Sequence, residues 1–526
     1  MIVNDTTASG GGVTIDIAGV GPGSTNAAHG PLADGLVPNQ SHTLAIAAID
    51  DATDLDAGAS HPRLGAISDI TVDLTWRTET YDIPRSDGDW AGGGLSGQAS
   101  PITRAGDVDN SGQDDVVVTY WTFQGGFQTA AHLILGNNDT ANAVSAPLVF
   151  PAELSFVVAS AGGQDVNGDG ISDIVLGGFN AGFTSGTVAI YLGCDLATDC
   201  DLATLTTSDA VFTLPGRLLN GVNVIGNFHQ RSGDSTAFAD ILVGGSSLPG
   251  GTETTAWVIA GRSVWANVEI QTASGVASDN ANNTNGVTTL QTTTAVPGQS
   301  ASAIGDLNND GFVEIAMSGG TSPGFVHVVE GGADIGGRLV VDAATLVGIP
   351  SCMREVNTNE SVGFGQDIEG GIDLDGTAGG DFAVSNLEGV VAVMSQDLAE
   401  VDCFTYGGPF RFGTDTSLAG DLDGDGHQDL IVSHGVNHGS SVSTDTNAYV
   451  FLNDGNGQFG IPYNTGVQRR AHMRLDAVTV TSGAPNYESG VSGVSGIGDF
   501  NGDSTADIGA VIKQTGSGSL QLVVYY

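Results

Sequence analysis

Lysine is almost missing from this chain. Among 526 residues only Lys513 is a lysine, and lysine and arginine together number 14 against 60 aspartates and glutamates. The net charge of −46 repels nucleic acid and anionic membrane surfaces, so neither is an expected partner. Long apolar runs are missing too. No stretch of about 18 apolar residues occurs, so no membrane-spanning helix and no membrane insertion are expected. The opening residues MIVNDTTASGGG lack a basic n-region and an apolar h-region, so no signal peptide is expected in this numbering. Cysteine is scarce: the four are Cys194, Cys200, Cys352 and Cys403, with no Cys-x-x-Cys pair, which argues against zinc and thioredoxin chemistry. Two disulfides are compatible with this even count, with Cys194–Cys200 and Cys352–Cys403 the expected pairs and four free buried thiols the alternative.

What the chain has in abundance is glycine, 80 residues, beside 40% apolar and only 14% charged residues. That balance suits many short strands joined by tight turns. One nine-residue pattern recurs, with acids or amides at positions 1 and 3, a polar residue at 5 and an acid at 9, followed by aliphatic residues. Its copies are Asp107, Asp109, Ser111, Asp115; Asp165, Asn167, Asp169, Asp173; Asp306, Asn308, Asp310, Glu314; Asp373, Asp375, Thr377, Asp381; Asp421, Asp423, Asp425, Asp429; and Asp499, Asn501, Asp503, Asp507. A seventh, degenerate copy runs from Gly226 and Asn227 to Asp234 and on to Asp240, where its interior has lost the alternating acids.

First positions fall at 107, 165, 227, 306, 373, 421 and 499. Periods of this size signal a propeller or array, and about 60 residues hold four short strands. One such sheet cannot bury its own core, whereas seven arranged radially can. The expected fold is therefore all-β, a seven-bladed β-propeller over residues 70–526. Only two strands follow the last motif, so the outer strand of the last blade must come from elsewhere. The alternating segment Ile70–Trp76 is the expected donor. Residues 1–69 form a separate N-terminal β segment. Its Leu36-x-Pro38 turn before an alternating strand resembles the later strands of a fibronectin type III-like sandwich, in part.

The spacing suits calcium, a hard ion that takes 6–8 oxygen ligands at about 2.3–2.6 Å. Positions 1, 3, 5 and 9 offer side-chain oxygens. Position 7 offers a backbone carbonyl, from Gln113, Ile171, Phe312, Gly379, His427 or Thr505. Glycine at position 6 allows the sharp turn. Several carboxylates in one loop repel one another unless a cation intervenes. About six Ca²⁺ ions are expected. An EF-hand would need a glutamate at position 12 and flanking helices, but Leu176 and Val432 stand there and strands follow. Dockerin-type repeats fail for lack of helix, and the nonapeptide of RTX rolls is not repeated.

These loops, with Phe364-Gly365 and Phe412-Gly413 upstream of two of them, resemble FG-GAP repeats of integrin α-subunit propellers and their bacterial relatives, including VCBS-type repeat proteins. The resemblance covers roughly residues 70–526. It implies calcium held by a loop between the first and second strands of a blade, an extracellular or cell-surface location, and adhesion or recognition of a protein or glycan ligand.

Enzyme marks are weak. Sialidase-type Asp boxes and His-Glu-x-x-His are absent, and Gly320-Thr-Ser322-Pro-Gly324 matches a nucleophile-elbow pattern without the helix that pattern requires. His434 and His438 lie in a glycine-rich loop with no helical face. No catalytic residue is expected. The alternatives to a binding module are a structural part of a larger surface protein or filament and, less favoured, a polysaccharide-active propeller enzyme. Trp76, Trp90, Trp121, Trp257 and Trp265 suit blade cores better than a ligand face.

Overall fold

The computed structural model describes residues 102–525, apart from loops of which 230–237, 278–285, 354–363, 435–447 and 476–490 are the longest. Before them it describes only the strands Ile2–Asp5, Thr14–Asp16, Gln40–Ala47, Ser68–Leu74 and Thr78–Ile83. Strands dominate, and Leu202–Leu205, capped by Asp201, forms a single helical turn.

Seven sheets of four or five strands follow one another along the chain. Their first strands are Ile102–Gly106, Phe156–Gln164, Arg217–Ile225, Pro297–Gly305, Ile368–Ile372, Phe412–Gly420 and Val491–Gly498. We number the blades 1 to 7 in that order. Each first strand packs against the first strand of the next blade, and that of blade 7 packs against that of blade 1, so the ring closes. The protein is a seven-bladed β-propeller, as its repeat period implies.

The second strand of each blade begins at the closing acid of the repeat. These strands are Asp115–Thr122, Asp173–Phe179, Asp240–Ser247, Glu314–Gly319, Asp381–Ser385, Asp429–His434 and Asp507–Lys513. They read as near-continuous apolar runs because both faces of a blade are covered by neighbours. Successive residues serve opposite sides. In blade 1, Val116 and Val118 pack with Val511, Leu522 and Val524 of blade 7, while Val117 packs with Ile174 and Leu176 of blade 2. In blade 2, Val175 turns to Ile241 and Trp257 of blade 3. Seven such apolar clusters, one at each blade junction, make up the core. Trp257 is fully buried and Trp265 packs on the same cluster, as a core reading requires. Trp76 and Trp90 lie outside the described residues, as do the side-chain surroundings of Trp121.

The donor of the last outer strand differs from the expected one. Ser68–Leu74 pairs antiparallel with Gln40–Ala47 and completes a four-stranded N-terminal sheet with Ile2–Asp5 and Thr14–Asp16. It is the next strand, Thr78–Ile83, that pairs with Leu520–Tyr525 and finishes blade 7. The described propeller strands thus begin at Thr78 and not at residue 70. An outer strand has one unpaired edge and tolerates polar residues, so TETYDI serves there. The alternation of Ile70, Val72 and Leu74, which suggests a one-sided strand, is used in the other sheet.

Cys194 and Cys200 form a disulfide. Cys403 is also disulfide-bonded, and its expected partner Cys352 lies outside the described residues.

A buried histidine gives the fold a pH signature. His472 of blade 6 accepts a hydrogen bond at Nδ1 from the Leu452 N–H (2.9 Å), and burial lowers its pKa to about 4. Its contribution is complete above the unfolded value of 6.5 and is lost as pH falls towards 4. Urea denaturation of the wild type and His472→Gln should show the wild type's advantage shrinking by about 3 kcal/mol across that interval. A difference independent of pH would contradict this role for the imidazole.

Candidate metal centre

Each repeat loop joins the first strand of a blade to the second, and the same local chemistry shapes it in blade after blade. The chain leaves the first strand through a β-bulge, with Gly106, Gly305, Gly420 and Gly498 at positive φ directly before the first aspartate. The first aspartate then gathers the loop's N–H groups. Asp107 accepts from Ser111 and Gly112, Asp306 from Asp310 and Gly311, Asp421 from Asp425 and Gly426, and Asp499 from Asp503 and Ser504, all at 2.8–3.1 Å. Asp165 accepts from Gly170 (2.7 Å) and Asp373 from Gly376 (2.7 Å).

Position 3 forms an Asx turn with the N–H of position 5. It does so through Asp109, Asn167, Asn308, Asp375, Asp423 and Asn501 at 2.8–3.3 Å. Position 5 repeats the move on position 7. Asp169, Asp310, Asp425 and Asp503 accept from the N–H groups of Ile171, Phe312, His427 and Thr505 at 2.9–3.0 Å. Ser111 accepts from Gln113 at 3.4 Å. In blade 5, Thr377 Oγ1 donates to Asp375, and Gly379 takes an unusual φ of +151°.

The closing acid is the buried member. Asp115, Asp173, Asp240, Glu314, Asp381, Asp429 and Asp507 are all at most 1% exposed. One oxygen of each accepts the N–H of position 2, from Val108, Val166, Phe228, Leu307, Leu374, Leu422 and Phe500, at 2.5–3.0 Å. The other oxygen reaches the exit of the third strand. It accepts from Gly136, Gly193 and Gly261 at 2.8 Å, from Gln396 at 3.0 Å and from Asn453 at 2.9 Å. Three segments of a blade are thus tied by one carboxylate.

A belt of backbone hydrogen bonds runs between the loops. The N–H just before the closing acid donates to the position-1 carbonyl of the preceding blade: Ser172 to Asp107, Ala239 to Asp165, Val313 to Asn227, and Asp114 to Asp499 across the closing seam, at 2.9–3.2 Å. Residues beyond the third strand add Cys194 to Val108, Arg262 to Val166 and Gly332 to Phe228, each at 2.9 Å. A Cβ on Gly136, Gly193, Gly261 or Gly331 would collide with the carbonyl before the closing acid, so only glycine permits this approach. The seam carries one further clamp, in which Arg104 pairs bidentately with Asp114, whose other role is to accept the Asp499 N–H (2.9 Å). The exit glycines and this clamp were missed by sequence reasoning. The glycines carry a faint signal, a Gly directly after an apolar third strand, as in Leu192-Gly193.

The donor sets fit a hard divalent cation. Carboxylate oxygens lie within 4.8 Å of one another in Asp107, Asp109, Asp115; in Asp306, Asp310, Glu314; in Asp373, Asp375, Asp381; and in Asp421, Asp423, Asp425. An ion with oxygens at about 2.3–2.6 Å spans such a group, and neither thiolate nor imidazole is among the donors. Each oxygen has about two lone-pair sites, so the N–H bonds leave room for a cation. In the Asp165 and Asp499 loops, amide groups stand between the acids: Asn167 Nδ2 donates to Asp169 (2.9 Å) and Asn501 Nδ2 to Asp503 (3.3 Å).

Burial raises the closing carboxyls. Desolvation first, and then the neighbouring acids, push Asp173, Glu314, Asp429 and Asp507 up to about 7, against the opposing pull of their N–H donors. Asp115 and Asp381 are raised for the same leading reason.

Blade 3 departs from the set. Position 1 is Asn227 and position 3 is His229, fully buried, with Nδ1 3.4 Å from the Asp240 carboxylate. Asp240 keeps its N–H donors Phe228, His229 and Gly261. Asp234 lies outside the described residues.

No family model and no curated protein matches the chain. Solved structures do. The crystal structure of BBS1N in complex with ARL6DN, soaked with lead, matches at 11% identity over 84% of this chain and 98% of that one, with a TM-score of 0.42. Saccharomyces cerevisiae Sqt1 matches at 10% identity over 83% and 98%, with a TM-score of 0.39. The Dos1 propeller matches at 13% identity over 60% and 69%, with a TM-score of 0.32. These likenesses are remote and say nothing of the chemistry of the loops.

Two measurements separate the tie from the ion. Asp240→Asn should lower stability by about 2–4 kcal/mol with and without calcium, because it places an amide against N–H donors. Asp423→Asn should be felt only when calcium is present. In chelated protein, carboxyls raised from 3.8 to about 7 make stability fall as pH rises through that interval, since the folded state holds the extra protons. Calcium should flatten that slope by displacing them, and identical pH profiles with calcium and with chelator would show that no ion competes.

Proposed function

We propose that this propeller is an extracellular binding module, of the FG-GAP and VCBS kind, whose loops are completed by calcium and whose faces recognise a protein or glycan ligand. The observation that carries this reading is the convergence of three carboxylates in four of the described repeat loops, in each case with or beside a buried carboxylate that is costly to ionise alone. Positions 1, 3, 5 and 9 would hold the ion, and it would supply positive charge to each cluster. The chain's own residues do the rest. The N–H bonds fix the acids in place, and the belt transmits the rigidity of one loop to the next blade.

The energetics favour a structural ion. At calcium tenfold above a dissociation constant of about 10⁻⁴–10⁻³ M, one site adds roughly 1.4 kcal/mol to the folded state. Six together approach the net stability of a whole domain, about 5–15 kcal/mol. Millimolar calcium and the Cys194–Cys200 disulfide both suit an extracellular setting. The described loops offer their carboxylates to each other and to backbone N–H groups, an arrangement suited to holding a shape rather than to moving protons through a reaction.

Elemental analysis of protein dialysed against millimolar calcium should find about six ions per chain. Chelation should lower the melting temperature by 10 °C or more, on the order expected for several kcal/mol. An unchanged melting temperature after complete chelation would end this reading.

A further inference from the structure

The face opposite the repeat loops carries an aromatic feature that the calcium reading does not use. In blade 2 the turn between the second and third strands, residues 180–185, presents Phe183 with 49% of its surface exposed. Its backbone φ is +53°, a left-handed conformation that a bulky aromatic residue rarely adopts. The turn holds it there firmly. Asn180 Oδ1 accepts the N–H groups of Thr184 (2.9 Å) and Ser185 (3.3 Å), and Asn180 Nδ2 donates to Thr184 Oγ1 (2.9 Å). Beneath it, the Phe183 ring stacks on Phe156, with centroids 5.2 Å apart and planes at 28°, and meets Phe179 at 5.0 Å. Phe156 and Phe179 are themselves 5.4 Å apart and belong to the core between blades 2 and 3. The outermost ring is therefore a fixed shelf on a buried foundation.

We propose that this shelf is a docking site for an arginine side chain from a basic segment of a partner protein. Two observations and one general preference select that occupant. The chain carries a net charge of −46, so its field draws cationic segments and repels anionic ones. Glu153 is exposed and lies at this end of blade 2, where its carbonyl accepts from Thr187 Oγ1 (2.8 Å) and the Ser155 N–H donates to the Phe179 carbonyl (3.0 Å). A guanidinium stacks flat on an aromatic face and gains from its quadrupole, which a neutral ligand does not. A sugar ring would also stack, and Glu153 could accept its hydroxyls, so a neutral oligosaccharide is the competing occupant that the test must separate. Phe183 then has a reason to sit in a conformation that glycine would adopt without strain.

The inference deepens the reading of the ring as a protein-binding module. Its test is therefore run in calcium, with calcium removed in a separate arm. Isothermal titration would use the intact protein at physiological salt with a short peptide alternating glycine and arginine, its lysine counterpart, and a neutral hexasaccharide. The arginine peptide should bind more tightly than the lysine peptide, and Phe183→Gly should weaken it about tenfold or more while leaving the melting temperature unchanged or higher. Phe183→Tyr should keep the affinity. Equal affinity of wild type and Phe183→Gly for the arginine peptide overturns the site, as does a hexasaccharide that binds and depends on Phe183. A lowered melting temperature in Phe183→Gly with unaltered binding assigns the residue to packing and also overturns the proposal. Loss of the calcium reading shows up only in the chelator arm, so the two failures stay distinct.

Discussion

A single buried carboxylate per blade organises this ring. It begins the second strand, takes an N–H from the repeat loop with one oxygen, and in most blades reaches the exit of the third strand with the other. Burying an ionised group unpaired is expensive, so the surrounding N–H groups are not optional decoration. Their arrangement explains why an acid stands at a position that is otherwise core. Blade 3 is instructive because it separates the two uses of the pattern. Its alternating acids are gone, its closing Asp240 remains, and Asp240 still gathers three N–H groups. The tie and the cluster are thus separable: blade 3 lacks the cluster of acids yet keeps the anchor.

Much of this was legible in the sequence, and for definite reasons. A strand covered on both faces must be apolar at successive positions, so Val116, Val117 and Val118 mark a blade interior directly. A loop built from consecutive Asx turns needs short oxygen-bearing side chains two residues apart, so Asp421, Asp423 and Asp425 stand out. Left-handed positions 4 and 6 favour glycine or asparagine, which is why Asn110 with Gly112 and Gly168 with Gly170 recur, although Ser504 takes position 6 in blade 7 at φ +71°.

Other features were not legible because they depend on partners remote in the chain. The outer strand of blade 7 is chosen by pairing across the ring, and Thr78–Ile83 carries no pattern that outranks Ile70–Trp76 before that pairing is known. Arg104 meets Asp114, and through it Asp499, only because blades 7 and 1 are brought together. The burial of His229 against Asp240 is likewise invisible from spacing, since the residues between them no longer follow the repeat. Phe183 gives no sequence signal at all: its exposure and its backbone conformation are properties of the turn that holds it.

The way blade 7 is finished has a consequence for how the molecule comes into being. Thr78–Ile83 leaves the ribosome before any blade exists, yet its partner Leu520–Tyr525 emerges only after all the others. Throughout synthesis the growing chain is an open arc with an unsatisfied strand at its leading edge. Each completed sheet can rest on the one before it, but the ring is not locked until Leu520–Tyr525 pairs with Thr78–Ile83. Translation speed and any helper that shields that waiting strand therefore become part of what this sequence requires in order to reach its closed form.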